Sequence, residues 1–233
     1  MPLNQNDQKT ILAAQAANFV EPGMLLGLGT GSTVDIFIST LGEKFGTLKT
    51  LEVVPTSLDS ADKASRLGMK IIEPKADLSP DLLIDGADEV SADLSMTKGG
   101  GGALLWEKMV AQNSKKRIYM ADSTKLVREL GQFPLPIEVV LFGHEWTCIE
   151  LKKFLPSVSI RKTGKGDIFK TNSGNIIYDC KITDNVKVSG LDTDLSRVPG
   201  VITTGLFVDF IDILITVRNE SVIEIETDRE VFW

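Results

Sequence analysis

Histidine is almost missing from this chain. His144 is the sole example among 233 residues, which excludes a multi-histidine metal site and leaves any histidine-based triad dependent on one ring. Cysteine is scarce too: Cys148 and Cys180 lie far apart, in no metal-ligand spacing, and read as two thiols in a reducing compartment rather than a disulfide framework. No apolar run approaches the ~20 residues needed to span a bilayer. The start, MPLNQNDQKT, has neither an apolar signal core nor arginine-rich transit character. A cytoplasmic protein with no membrane partner is expected. Positive charge is also in deficit: the formal net charge of −7 argues against a nucleic-acid partner, which needs a basic face. It does not exclude a small anion, because a few amides and lysines suffice to hold one.

What is present is an alternation of short apolar runs with helical patterns. QKTILAAQAANFV puts Ile11, Leu12, Ala16 and Phe19 on one helical face; MLLGLG reads as a buried strand; STVDIFISTLGEKF reads as a helix with Ser32 or Thr33 as N-cap. Strands in TLEVVPTS, MKIIEP, PDLLIDGADEV and RIYMAD alternate with helices in LDSADKASRLG and GGALLWEKMVAQNSKK. That order predicts an α/β fold with a parallel sheet covered on both faces. The pattern changes at GQFPLPIEVV, a boundary candidate at Gly131 to Pro136. Beyond it come a helix in EWTCIELKKFLPS, a hairpin turning at NSGN and a short helix in LDTDLSRVPG, which is α+β character. The last segment, GLFVDFIDILITVRNESVIEIET, reads as strand, turn, strand, and periodicity does not say which sheet it joins.

Three stretches carry chemistry. GLGTGST, Gly27 to Thr33, links a strand to a helix, and a glycine turn ahead of a helix exposes amides and a positive dipole end to an anion. It lacks the lysine of a Walker A loop, and Ser32 stands where a dinucleotide fingerprint needs its third glycine. Alone it is equally a tight structural turn. LLIDGADEV delivers Asp85, Asp88 and Glu89 at a strand end, where parallel sheets place their ligand crevice. An Asx turn, hydroxyl recognition, acid–base work and a magnesium site all remain open for it. KGGGGALLWEK sets Lys98 before four glycines that are costly to order. Glu107 follows on the next helix, as a surface helix former or as a partly desolvated base, and Ala103, Leu104 and Met109 are placed to pack inward. Lys125, just past a strand end in MADSTKL, is either a solvated lysine or a phosphate ligand.

Taken in order, GLGTGST, DGADEV, KGGGGALLWEK, ADSTKL, FPLPIEVV and PGVITTGLF resemble the type A ribose-5-phosphate isomerases over nearly the whole chain. The resemblance implies a larger α/β domain with a Rossmann-like parallel sheet, residues 1–132 and 206–233, and a smaller inserted α+β domain, 133–205. It implies interconversion of D-ribose 5-phosphate and D-ribulose 5-phosphate in the pentose phosphate pathway through a cis-enediol, with no metal and no organic cofactor, by a homodimer or homotetramer. Carried onto this chain, the catalytic residues are Glu107 as the base, Asp85 for ring opening and Lys98 as the cation at the enediolate. Substrate-binding positions are Thr30, Gly31, Ser32, Thr33, Asp85, Gly86, Ala87, Asp88, Lys98, Gly99, Gly100, Gly101 and Lys125, with Lys9 from the first helix. Family members more often read K-G-G-G-A-A-L, so Gly102 is a departure, and Trp106 stands beside the base where a polar residue is common, either shielding it or packing.

Other classes stay in view. A non-catalytic sugar-phosphate sensor accounts for the loops but not for Asp85, Lys98 and Glu107 together. A related-fold acyl-CoA transferase would use Glu107 as nucleophile, and an amino-sugar-phosphate deaminase would want a histidine where His144 does not stand.

Overall fold

A computed structural model describes residues 3–46, 48–182, 188 and 190–227. The apolar end of the chain, from residue 228 onward, lies outside them. The chain forms two compact units: Met1–Ala87, Trp106–Leu126 and Asp209–Trp233 make the first, and Asp88–Leu105 with Val127–Val208 the second.

The first unit begins with α1 (Gln5–Ala17), started by a capping box in which Asn4 accepts from the amides of Asn6 and Asp7 while Asp7 accepts from the amide of Asn4. Then follow β1 (Leu25–Leu28), α2 (Ser32–Phe45), β2 (Glu52–Pro55), α3 (Leu58–Arg66), β3 (Lys70–Ile71) and β4 (Leu82–Gly86). In the second unit the chain makes two two-residue strands, β5 (Glu89–Val90) and β6 (Met96–Thr97). Helix α4 (Leu104–Asn113) leads back to β7 (Arg117–Ala121), which ends in a 3₁₀ turn, Ser123–Lys125. The second unit resumes with β8 (Leu135–Val139), α5 (His144–Leu151), β9 (Ser157–Ile160), β10 (Ile176–Lys181), α6 (Leu191–Ser196), β11 (Val201–Thr204) and β12 (Leu206–Phe207). The closing hairpin is β13 (Ile213–Arg218) and β14 (Ser221–Glu226), turned at Asn219 and Glu220, both at positive φ.

Seven strands form the sheet of the first unit in the order β14-β13-β7-β4-β1-β2-β3, parallel throughout except for β14 at the edge. This settles the C-terminal segment: β13 lies parallel to β7, so the hairpin completes this sheet. Alternate side chains take opposite faces. One set, including Leu26, Leu28, Ile84, Ile118 and Ile215, is buried with Leu12 and Ala16 of α1 and Phe37 and Leu41 of α2. Each such aliphatic or aromatic side chain, fully buried, contributes about 1.5–3 kcal/mol. The alternate set, Gly27, Leu83, Asp85 and Tyr119, faces the other way. There Gly27 keeps backbone close to α4, since a Cβ on it would stand 3.0 Å from Val110.

The second unit holds a four-stranded sheet, β11-β8-β10-β9, antiparallel throughout, and a three-stranded one, β12-β6-β5. Residues 88–105 and 127–132 group with this unit, and the first unit resumes at Asp209. The reason is pairing: β5 and β6 hydrogen-bond to each other and β6 to β12, while the buried Glu89 carboxylate accepts from the amides of Gly131 (2.9 Å) and Phe133 (2.6 Å). The expected hairpin exists as β9 and β10. Its connection folds back at Lys162–Ile168 as well as at NSGN, where a bridge joins Lys170 to Ile176. Cys148 and Cys180 are free thiols. Among the described residues no helix is long and apolar enough to cross a membrane.

Candidate active site

Strand order in the first unit reverses between β1 and β4, since β2 and β3 lie to one side of β1 and β4, β7 and β13 to the other. The C-terminal ends of strands flanking such a switch leave a crevice. Two of the three sequence motifs in this unit end there. Gly29 donates its amide to Ile84 O at 2.9 Å, and Thr30 donates to Asp85 Oδ1 at 3.1 Å. Gly86 also donates to that oxygen, at 2.7 Å. Asp85 is completely buried, and Gly29 is glycine because a Cβ would stand 2.2 Å from Asp85 Oδ1. The Thr30 hydroxyl lies 2.7 Å from the Thr56 hydroxyl and 2.8 Å from that of Ser57, which carries the neighbouring β2 end into the same network.

The helix after this loop starts one residue earlier than a serine or threonine cap requires. Gly31, at φ 112°, is the N-cap, and it offers no side-chain hydrogen bond. Ser32 is already helical, and its hydroxyl accepts from Lys9 Nζ at 2.9 Å, so the structure brings Lys9 and Ser32 together. Ser32 is exposed and Thr33 half-buried in the first turn. Helix α1 is also tied to the turn that bears Lys125: Gln5 donates to Asp122 Oδ2 (3.2 Å) and to the Thr124 hydroxyl (3.3 Å), and Gln8 accepts from the Ser123 amide (2.9 Å). Lys125 itself is half-buried.

Glu107 sits in the first turn of α4 and is 4% exposed, which removes the reading of it as a surface helix former. Met109, placed inward from sequence, is 54% exposed, whereas Ala103 and Leu104 are buried as expected; on the helix the buried stripe is Leu104, Glu107, Val110 and Ala111. A carboxylate in a first turn is stabilised by the helix dipole. Trp106 is half-buried. Both carboxyls act on a residue that the motifs do not contain. Tyr119 on β7 pairs in register with Asp85 on β4, so their side chains take the same face, and it is fully buried. Burial first, and then the charges of Asp85 and Glu107, hold its phenol well above its ordinary pKa, so it is a neutral hydroxyl at any working pH.

In the second unit, Asp88, half-buried, accepts the Gly100 amide at 2.7 Å. Lys98 is 2% exposed, its amide donates to Gly205 O at 2.9 Å, and its ammonium lies 5.7 Å from the centroid of the Phe207 ring. Gly99, at φ 101°, and Gly100 both need to be glycine. A Cβ on the first would stand 2.9 Å from Leu104 Cβ, and on the second 2.7 Å from Asp88 Oδ1. Gly100 and Gly101 are exposed. The departure at Gly102 has a cause: at φ 82° its missing Cβ leaves room for the Phe169 ring, which would otherwise lie 2.5 Å away.

Comparison with known proteins agrees with this geometry. Residues 52–221 match the model of ribose 5-phosphate isomerase A (phosphoriboisomerase A). The chain belongs to this family. The ribose-5-phosphate isomerase A of Parvibaculum lavamentivorans is 42% identical over 212 residues, covering 88% of this chain and 92% of that protein. The ribose 5-phosphate isomerase structure from Plasmodium falciparum superposes with a TM-score of 0.89 at 33% identity, over 95% of this chain and 98% of that one. A D-ribose-5-phosphate isomerase solved in complex with phospho-erythronic acid gives a TM-score of 0.90 at 35% identity, over 97% and 100%. The chain is thus an isomerase of the ribose-5-phosphate isomerase A family with a mixed α/β fold.

Sequence motifs missed Thr56, Ser57, Gln5, Gln8 and Tyr119. Thr56 and Ser57 had a signal, since PTS directly follows β2 and so sits at a strand end beside β1. Tyr119 had none, because one tyrosine in an apolar strand reads as core.

Proposed function

We propose that this protein interconverts D-ribose 5-phosphate and D-ribulose 5-phosphate through a cis-enediol. The observation that carries the proposal is the pair of buried carboxylates, Asp85 and Glu107, whose charges both act on the Tyr119 phenol. An aldose–ketose isomerisation needs the furanose ring opened and then one proton moved between C2 and C1. Asp85, its Oδ1 held by the amides of Thr30 and Gly86, is assigned to the ring oxygen and the hydroxyls. Glu107 is the base for both carbons; its burial excludes water, which would otherwise take the proton from the intermediate. Lys98 and the amides of Gly99 to Gly101 stabilise the enediolate oxygen, and Asp88 orients hydroxyls. Thr30 to Thr33, Lys9 and Lys125 bind the rest of the substrate, the lysines neutralising phosphate. Gly86 and Ala87 line the turn between the two aspartates. The same reading includes a cytoplasmic homodimer or homotetramer.

The test is direct. Purified protein with ribose 5-phosphate and a chelator should form ribulose 5-phosphate at an undiminished rate. A folded protein that binds the sugar phosphate without converting it would replace this proposal with the sensor reading, and a chelator-abolished rate would make the carboxylate cluster a metal site.

A further inference from the structure

The glycine loop is held from behind by a residue far away in sequence. Arg161 Nη1 donates to Gly99 O at 2.8 Å and to Gly100 O at 3.1 Å. The same guanidinium is clamped by Asp179, with Nε donating to Oδ2 at 2.9 Å and Nη2 to Oδ1. Asp179 stands on β10 beside Ser159 of β9, so the clamp is built on sheet rather than on loop. The Phe169 ring lies 5.8 Å from the guanidinium carbon and fills the space left open by Gly102. The Arg161 side chain is 13% exposed. A planar cation of this kind is expensive to desolvate and persists where its fork satisfies several acceptors at once.

The consequence follows from the trans peptide. In a planar trans unit the C=O of one residue and the N–H of the next point in opposite directions. Holding the Gly99 carbonyl toward Arg161 therefore directs the Gly100 amide away from it, and that amide is the one donating to Asp88 at 2.7 Å. Holding the Gly100 carbonyl directs the Gly101 amide the same way. The positive charge behind both carbonyls also polarises these peptide units and strengthens their N–H groups as donors.

We infer that Arg161, clamped by Asp179, is a positioning residue that aims and polarises the Gly100 amide toward Asp88 and the Gly101 amide for the negative oxygen of the enediolate. It acts through the loop and not on the substrate. This rests on the function proposed above. Because the charge it serves develops in the transition state, its loss should appear in kcat and not in KM.

The experiment compares the parent with Arg161→Met, Arg161→Lys and Arg161→Ala, the last with and without methylguanidinium in the buffer. Expected are a kcat at least 10-fold lower in Arg161→Met with KM within about 3-fold. Arg161→Lys should fall short of the parent, since an ammonium lacks the fork. Added methylguanidinium should restore part of the Arg161→Ala rate. Amide hydrogen exchange across residues 98–103 should speed up in Arg161→Met while the β-sheet amides stay protected. A parent-like kcat, or a loss confined to KM, overturns the inference, and so does a kcat loss that methylguanidinium does not relieve and that tracks global unfolding. If the parent does not isomerise ribose 5-phosphate, the proposed function fails instead. The bracing is then decided by exchange alone, and unchanged protection of residues 98–103 in Arg161→Met overturns it.

Discussion

A Cβ on Gly29 would stand 2.2 Å from Asp85 Oδ1 and 2.6 Å from Asp85 Cα. The loop after β1 and the carboxylate at the end of β4 are thus fitted to each other with no room for a methyl group. Gly29→Ala must move the Asp85 backbone, since its Cα, and not only its carboxylate, lies inside contact distance. Overpacking of this kind costs about 1–3 kcal/mol, and turnover should fall by roughly 100-fold as the acid–base geometry is lost. Thermal unfolding and kcat measured on the purified variant check both; parent-like turnover would contradict the fit.

Glu138 on β8 predicts a pH-dependent stability. It is fully buried, the Thr171 hydroxyl and the Asn175 amide both donate to Oε1 at 2.9 Å, and Oε2 has no hydrogen-bond partner among the described residues. Burial, against those two hydrogen bonds, raises its pKa above the ordinary 4.5. A raised carboxyl pKa means that the native state keeps the proton longer than the unfolded chain does. Its stability is fully present below pH 4.5 and is lost as pH rises through the folded value. Glu138→Gln does not titrate. The melting temperature of the variant relative to the parent should therefore rise between pH 4 and pH 8. A flat or falling difference would contradict this.

Arg117 and Asp212 join the start of β7 to the segment before β13. Arg117 Nε and Nη2 donate to Asp212 at 2.9 and 2.7 Å, the Arg117 amide adds a third bond at 2.7 Å, and the side chains are 17% and 13% exposed. The carboxylate beside it raises the Arg117 pKa, with burial opposing, so the charge is permanent. Asp212→Ala leaves a largely buried cation and should destabilise the fold by about 3 kcal/mol, while kcat of the folded protein stays near the parent value. Urea unfolding with an activity assay below the transition separates the two.

Legibility from sequence followed the length of the signal. The span Ser32–Phe45 was readable as a helix because a fourteen-residue amphipathic pattern lies between two glycines, with the cap falling on Gly31 and not on Ser32 or Thr33. Asp85 was readable because three apolar residues, Leu82 to Ile84, deliver it to a strand end. The strands β5, β6 and β12 have two residues each, too few to carry a period, and were not legible as strands. In α4 the outward Met109 and inward Glu107 reverse what hydrophobicity suggests. Arg161 was invisible because its partners, Gly99 and Gly100, are about sixty residues away and contribute only carbonyl oxygens.

The central claim is that Glu107 moves the proton, and Glu107→Gln tests it most directly. The amide keeps the shape and the helix but has no basic oxygen. Turnover of ribose 5-phosphate should fall at least ~100-fold, with KM within about 3-fold of the parent. Near-parent turnover in a folded Glu107→Gln protein would contradict the account.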